Sequence, residues 1–244
     1  MFIVTGMHRS GTSLTARILQ YAGADFGHTS TMIPPDKWNP EGYLEQRQIV
    51  QLNRRLMEGP FLRFAYVSLP SNHAIVSRSR AARADISLTI RNYSEKYIKD
   101  PRFCLTLGGW LAVAKSMHFK LIVTLRHPLS VANSIVRRNR IPSSLALHLW
   151  CEHYERLIQT LERHSDISVH YVLFSALVSG QENKREREIR RLVAFSDANF
   201  SCKVSRMSTS IRPKTEDFAW RPRSRVGIRA SNLWKEVTEK IECG

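Results

Sequence analysis

The stretch from Met1 to Leu19 constrains the fold more than any other part of the chain. Phe2-Ile3-Val4-Thr5 is a short apolar run stopped by a glycine, and it reads as a buried strand. Gly6-Met7-His8-Arg9-Ser10-Gly11 follows, and Thr12-Ser13 opens a helical pattern with Leu14, Ile18 and Leu19 on its apolar side, running to Tyr21. Strand, glycine-bounded loop and helix together form the layout of a phosphate-cradling loop. Backbone N–H groups at the start of the helix and its dipole both favour an anion there. The nucleotide-hydrolase version is G-x-x-x-x-G-K-[ST]; here Thr12 stands at the lysine position and Arg9 supplies a basic group earlier in the loop. Such a loop is suited to hold a phosphate without a lysine directed at a transferable phosphoryl group.

The rest of the chain repeats strand and helix signals. Residues 23–42 carry glycine, proline and asparagine and read as a long loop of the kind that is usually functional. A helix is expected from Gly42 to Met57, irregular chain over 58–76 and an arginine-rich helix from Arg78 to Ile98. Phe103–Leu107 reads as a second strand, Trp110–Met117 as a helix and Lys120–Leu125 as the clearest buried strand. Helices over Leu129–Arg138 and Ser143–Arg163, a strand over Ser168–Leu173 and a charged helix over Lys184–Phe195 complete the pattern. Strands separated by helices predict a three-layer α/β fold of the phosphate-loop type, a central parallel sheet flanked by helices. The whole of 1–244 reads as one domain, with 201–228 a basic loop able to fold over an anion and 229–241 a terminal helix.

Composition narrows the partners. Apolar residues make up 43% of the chain, too many for a disordered protein. No apolar run approaches the ~20 residues that span a bilayer, and the first apolar run leads straight into the glycine loop rather than a cleavage site, so a cytoplasmic protein is expected. Cys104, Cys151, Cys202 and Cys243 lack metal-binding or disulfide spacing and are expected to be reduced thiols. The formal charge of +16 favours a polyanionic partner: nucleic acid, an anionic membrane, an acidic polysaccharide or a multiply phosphorylated cofactor.

Ligands of parallel sheets bind beyond the carboxyl ends of the strands. Two segments occupy such ends: the loop from Gly6 to Ser13, and Arg126-His127-Pro128 after the strongest strand, with Ser134 two helical turns on. Arg126 and Ser134 can converge on one further phosphate. With these residues on the page, the chain resembles the sulfotransferases that use 3′-phosphoadenosine 5′-phosphosulfate (PAPS), in their bacterial and Golgi-like branch. The resemblance rests on Arg9-Ser10-Gly11-Thr12-Ser13, on Arg126 with Ser134, on Asn39-Pro40-Glu41-Gly42-Tyr43-Leu44-Glu45, on Lys99-Asp100-Pro101-Arg102, and on Leu147-His148-Leu149-Trp150 with Tyr154. It covers about residues 2–175. It implies that His8, Arg9, Ser10, Gly11, Thr12 and Ser13 cradle the 5′-phosphosulfate and that Arg126 and Ser134 hold the 3′-phosphate. Arg225 and Gly227 echo a C-terminal segment that closes over that phosphate in cytosolic relatives.

The resemblance also implies a reaction: sulfuryl transfer from PAPS, leaving adenosine 3′,5′-bisphosphate (PAP), to a hydroxyl or amine of a saccharide or other small acceptor. Charge builds on the bridging oxygen, and fixed donors and cations can meet it, so no metal is expected. A proton must leave the acceptor. The histidine that cytosolic members use is absent, and a glutamate after the first helix takes its place in other branches. Glu45 is favoured and Glu41 is second, with Asp36 and His8 below them. Arg9 and Lys99 complete the catalytic candidates. Lys99 has two readings, contact with the bridging oxygen or an ion pair with Asp100. Glu45 could also be only a first-turn helix acid. Trp38, Trp110 and Trp150 read as core aromatics. A cationic rim would suit an acidic saccharide or peptide. A nucleotide kinase is disfavoured by the missing lysine and by the lack of a strand-ending aspartate. A nucleic-acid-binding module is disfavoured because the arginines are spread along the chain without a recognised motif, so no specific nucleic-acid partner is expected.

Overall fold

The structure is a computed structural model and describes residues 1–58, 69–114, 118–196, 208, 211 and 220–242. Its centre is a parallel sheet of β1 (Phe2–Thr5), β2 (Tyr97–Lys99), β3 (Lys120–Leu125) and β4 (Ser168–Leu173) in the order β2-β1-β3-β4. β1 pairs Ile3 with Ile98 on one side and with Leu121 on the other, so the second and third strands flank the first. The chain therefore leaves β1 in one direction and later crosses to its other edge. That reversal opens the crevice at the carboxyl ends in which such sheets bind ligands.

Alternation along the strands builds the two outer layers. Ile3, Ile98, Leu121, Val123 and Leu125 face one core; Val4, Tyr97, Ile122 and Val172 face the other. The first core is closed by α2 (Arg47–Met57), α4 (Arg83–Asn92), α5 (Phe103–Val113), α6 (Pro128–Asn139), α7 (Ser143–Glu162) and the last helix, Arg225–Glu242. The second is closed by α1 (Thr12–Tyr21), α8 (Phe174–Leu177) and α9 (Glu182–Phe195). Each fully buried aliphatic or aromatic side chain contributes about 1.5–3 kcal/mol to holding these layers together. α3 (Asn72–Ala81), capped by the Ser71 hydroxyl accepting from Ala74 N at 3.2 Å, packs on α5. The last helix is α10; its Arg229 bonds Glu155 at 2.7 Å and Glu152 at 2.9 Å on α7.

The expected α/β fold is observed, and the strands at Phe2–Thr5, Lys120–Leu125 and Ser168–Leu173 have their expected bounds. Four local expectations are corrected. Phe103–Leu107 is not a strand but the first half of α5, and nearly every residue from Phe103 to Leu111 is buried. A helix apolar on all sides carries no period to separate it from a buried strand. The helix expected to end at Ile98 is two helices, and Tyr97–Lys99 is a strand paired with β1. α2 begins at Arg47 rather than Gly42, because Gln46 is extended and pinned to the preceding loop. The last helix begins at Arg225, so 225–228 belong to it and not to a loop. Of the remaining basic stretch, 201–207, 209–210 and 212–219 lie outside the described residues. Among the described residues no helix is long and apolar enough to cross a membrane.

Candidate active site

The loop after β1 is fixed from below. Gly6 and Gly11 have φ of +139° and +98°, where a side chain is strained, and neither has room for one. A Cβ on Gly6 would lie 2.3 Å from the Thr124 carbonyl oxygen, and one on Gly11 would lie 2.2 Å from the Phe174 ring. Tyr154, fully buried on α7, ties the loop to β3. Its hydroxyl donates to Thr124 O at 2.8 Å, takes the Met7 N–H at 3.3 Å and meets Ser10 Oγ at 2.9 Å. Burial pushes the Tyr154 phenol well up, so it stays a neutral hub.

Pairing of β1 with β3 brings residues far apart in sequence together. Arg9 Nε donates to Ser134 Oγ at 2.9 Å, and Arg126 Nη1 donates to Arg9 O at 3.1 Å. The Arg126 guanidinium lies 4.5 Å from the Phe174 ring centroid, a stacking contact suited to its planar fork. Arg9 has φ of +73° and makes no ion pair among the described residues. Burial lowers its basicity, followed by the fields of Arg138 and Arg126. The three donors thus stand at the carboxyl ends of β1 and β3.

Beside them, at the end of β2, Lys99 Nζ donates to Glu45 Oε1 at 2.5 Å and to Ser13 Oγ at 3.2 Å. Both members of this ion pair are buried. Lys99 pairs with Glu45 and not with its neighbour Asp100. Asp100 instead accepts from Arg102 N and Nη1 at 2.9 and 2.8 Å, and from Asn53 Nδ2 at 2.9 Å. Arg102 Nη1 stands 3.9 Å from Glu45 Oε2. The segment before α2 delivers Glu45: Gln46 Nε2 donates to Phe26 O at 2.5 Å, its Oε1 accepts from Thr31, and Ile33 N donates to Glu45 O at 2.8 Å. Glu41 is elsewhere. It is mostly exposed and ion-paired with Arg17 on α1.

The loop over 33–46 forms the remaining wall. Asn39 Nδ2 donates to Ser13 Oγ at 3.2 Å, and Tyr43 Oη donates to Asp36 Oδ1 at 2.7 Å. Lys99 Nζ lies 5.7 Å from the Tyr43 ring centroid. Burial and the Asp36 carboxylate push the Tyr43 phenol up to about 12. Asp36, exposed, is held ionised by the Tyr43 hydroxyl and two backbone N–H groups. His8 is half-buried in the loop; desolvation, then the cations Arg102, Lys99 and Arg138, hold it well below the usual histidine range. It is neutral near pH 7.

The site therefore brings together Arg9, Ser10, Ser13, Arg126, Ser134, Lys99 and Glu45, with His8 beside them and Gly11 and Thr12 opening α1. Arg225 begins α10 as an exposed side chain, and Gly227 is buried against Trp220, Pro222 and Ser224. Trp110 and Trp150 are core residues, whereas Trp38 is 37% exposed on the loop, contrary to expectation. Sequence reasoning assigned no role to Tyr154, Arg102, Tyr43 or Arg138, although Arg102 and Tyr43 stand inside quoted motifs. Arg138 could have been found from its spacing of one helical turn after Ser134.

Comparison with known proteins agrees with this architecture. The model of the sulfotransferase family matches residues 2–201. No curated protein sequence matches significantly. Among solved structures, the sulfotransferase domain from the curacin biosynthetic pathway is similar over 98% of this chain and 97% of its own, at 16% identity and a TM-score of 0.52. A sulfotransferase from Mycobacterium tuberculosis is similar over 86% of this chain and 70% of its own, at 15% identity and a TM-score of 0.46.

Proposed function

The chain belongs to the sulfotransferase family, and from that premise we propose that it transfers a sulfuryl group from PAPS to a hydroxyl or amine of a small-molecule or saccharide acceptor in the cytoplasm. The observation that carries the choice of donor is the meeting of Arg9, Arg126 and Ser134 at the ends of β1 and β3. The guanidinium fork of Arg126 and the hydroxyl of Ser134 are the kind of donors a 3′-phosphate needs, and Arg9, bonded to Ser134, links them to the loop assigned to the 5′-phosphosulfate. The start of α1, with the N–H groups of Ser10 to Ser13, fits the 5′-phosphate. Assigning Arg225 and Gly227 to the same end of the donor site is supported by Trp220, which lies beside Gly227 and whose ring is 5.5 Å from that of His127, the residue after Arg126.

When bound, such a donor supplies an SO₃-like unit on a phosphate leaving group. Lys99 and Ser13 stand ready to meet negative charge at the bridging oxygen, without reorganising when it develops. Glu45 takes the proton of the acceptor. Its Oε1 is held by Lys99 and its Oε2 has Arg102 Nη1 at 3.9 Å, which fixes the carboxylate. Burial of the pair excludes water from the place where the proton moves.

Thermal shift with PAP, compared with ATP and magnesium, tests the donor. PAP at a hundredfold over its dissociation constant should stabilise the fold by about 2.7 kcal/mol, and ATP should not. Arg126→Ala should weaken PAP by about tenfold or more, because a charge-assisted contact of ~1.5–3 kcal/mol is lost. Stabilisation by ATP alone would overturn the assignment.

A further inference from the structure

Asp100 follows β2 directly, is fully buried and takes no part in the chemistry above. Its backbone is fixed: the N–H donates to Val4 O at 3.2 Å, and the carbonyl accepts from Thr5 Oγ1 at 3.1 Å and Phe103 N at 3.2 Å. Its side chain is held by Asn53 on α2, which is equally buried. Asn53 Oδ1 accepts from Trp110 Nε1 at 2.9 Å and from Thr106 Oγ1 at 2.8 Å. An indole N–H can only donate, so the Asn53 amide has one orientation, and its Nδ2 faces Asp100 Oδ2 at 2.9 Å. Asp100 cannot swing away without leaving that buried amide unpaired.

The other oxygen of Asp100 holds Arg102. Oδ1 accepts from Arg102 N at 2.9 Å and from Nη1 at 2.8 Å. That same Nη1 stands 3.9 Å from Glu45 Oε2, so it lies between two carboxylates and is bonded to one of them. Lys99 bonds Glu45 Oε1, and among the described residues no hydrogen bond reaches Oε2. A cation bonded to Oε2 would occupy the lone pair that has to receive a proton, and would weaken the carboxylate as a base. At 3.9 Å the guanidinium still offsets the buried negative charge but is beyond hydrogen-bond range.

Resting on the reading of Glu45 as the base, we propose that Asp100, oriented by Asn53, is a positioning residue that holds Arg102 beside Glu45 but off its Oε2, and so keeps that oxygen open to the proton of the acceptor. It acts through Arg102. Lys99 and Asp100 are neighbours at the end of one strand and point to opposite faces. One of them gives a cation to Oε1, and the other withholds a cation from Oε2. Asn53 lies on α2, the helix that begins two residues after Glu45. The element that follows the base therefore also carries the amide that fixes the guanidinium next to it.

The test is a double-mutant cycle read by urea unfolding, which needs neither donor nor acceptor. Glu45→Gln, Arg102→Met and the two together are compared first with Asp100 in place and then with Asp100→Asn. Removing the charge that holds Arg102 should let it close on Glu45. The coupling of the two residues, read as a ratio of unfolding constants, should then grow about tenfold or more, as a new charge-assisted hydrogen bond requires. Asn53→Ala should shift it the same way by less, and it carries the test if Asp100→Asn does not fold. A coupling that fails to grow overturns the proposal, because a purely structural Asp100 lowers stability without changing how Glu45 and Arg102 interact. The catalytic half is read as labelled sulfate released from PAPS to water. The water oxygen bonds the sulfur, the bond from sulfur to the bridging oxygen breaks, PAP leaves, and Glu45 takes the proton. Asp100→Asn should slow this release about tenfold while the thermal shift with PAP is retained, and adding Arg102→Met should restore it. A loss that Arg102→Met does not relieve overturns the proposal. Undiminished release by Glu45→Gln is a different result: it removes the reading of Glu45 as the base, and this proposal with it.

Discussion

Glu41 and Glu45 are equivalent by composition and four residues apart, yet the fold gives them opposite environments. Glu41 is 68% exposed and meets Arg17 on the outer face of α1; Glu45 is 9% exposed and meets Lys99. An exposed pair of the first kind contributes about 0–1 kcal/mol and touches nothing reactive. The second kind places a carboxylate and an ammonium beside the start of α1. Glu45→Gln should therefore lower turnover by about 10²–10⁴-fold while PAP still binds, and Glu41→Gln should stay within about twofold of the unaltered protein. Steady-state kinetics with labelled PAPS, alongside urea unfolding of each variant, make the comparison. An active Glu45→Gln protein would dismiss Glu45 as the base. Urea unfolding matters because Lys99 loses its buried counter-charge, which costs up to about 3–5 kcal/mol where nothing replaces it. The partnership of Lys99 with Glu45 was not legible in the sequence, where Asp100 is the adjacent acid. At the end of β2, successive side chains point to opposite faces, so Lys99 reaches the site and Asp100 turns to Arg102 and Asn53. Arg9, Arg126 and Ser134 were legible because a glycine loop and a strand-end spacing state their positions directly.

β1 and β3 were read correctly although both of their faces are buried, and α5 was not. β3 is bounded by polar signals, whereas α5 has an apolar surface on every side and takes its helical identity from tertiary context. Its start is set by Asp100, whose side chain accepts from Arg102 N and whose carbonyl accepts from Phe103 N at 3.2 Å. Its packing against α3 is set by Gly109. A Cβ there would fall 2.1 Å from Ser79 Oγ and 3.0 Å from Ile75 Cγ2. Ser79 cannot withdraw freely, because its hydroxyl donates to Ile75 O at 2.9 Å in a fully buried position. Gly109→Ala should cost about 1–3 kcal/mol through overpacking, less the small gain in helix propensity. Adding Ser79→Ala, which deletes the nearest atom, should recover part of that loss. Chemical denaturation of the two single variants and the double variant measures the coupling. Strict additivity would mean that α3 and α5 do not meet at this contact. A Cβ on Gly109 meets Ser79 and Ile75 rather than any residue of the site, so PAP binding should survive in any variant that folds.

On the scale of the whole molecule, the sheet joins two cores through four short strands, and the titratable groups buried between layers make its stability depend on pH. The chain already carries +16 when its histidines are neutral. Burial lowers His153, on α7, to about 4 and His170, on β4, to about 4, and it also holds His8 well below the usual histidine range. In each case the unfolded state takes up a proton at a higher pH than the folded state. Their contribution to stability is fully present above about pH 6.5 and is lost as pH falls toward 4. His153 alone accounts for about 3 kcal/mol over that window, at roughly 1.4 kcal/mol per pH unit. Glu152, held ionised by Arg229 and Arg156 despite its partial burial, acts in the same direction at lower pH. Glu188, raised by burial, acts in the opposite direction and offsets a part. Added positive charge on so basic a chain reinforces the acid-side loss through self-repulsion. Urea midpoints measured at intervals from pH 7 to 4.5 should fall steadily below pH 6.5. His153→Gln, which cannot titrate, should flatten the decline by about 1.4 kcal/mol per pH unit within that window. A profile level between pH 6.5 and 4.5 would mean that these imidazoles are hydrated in the folded protein, and that the layers packed on β3 and β4 admit water.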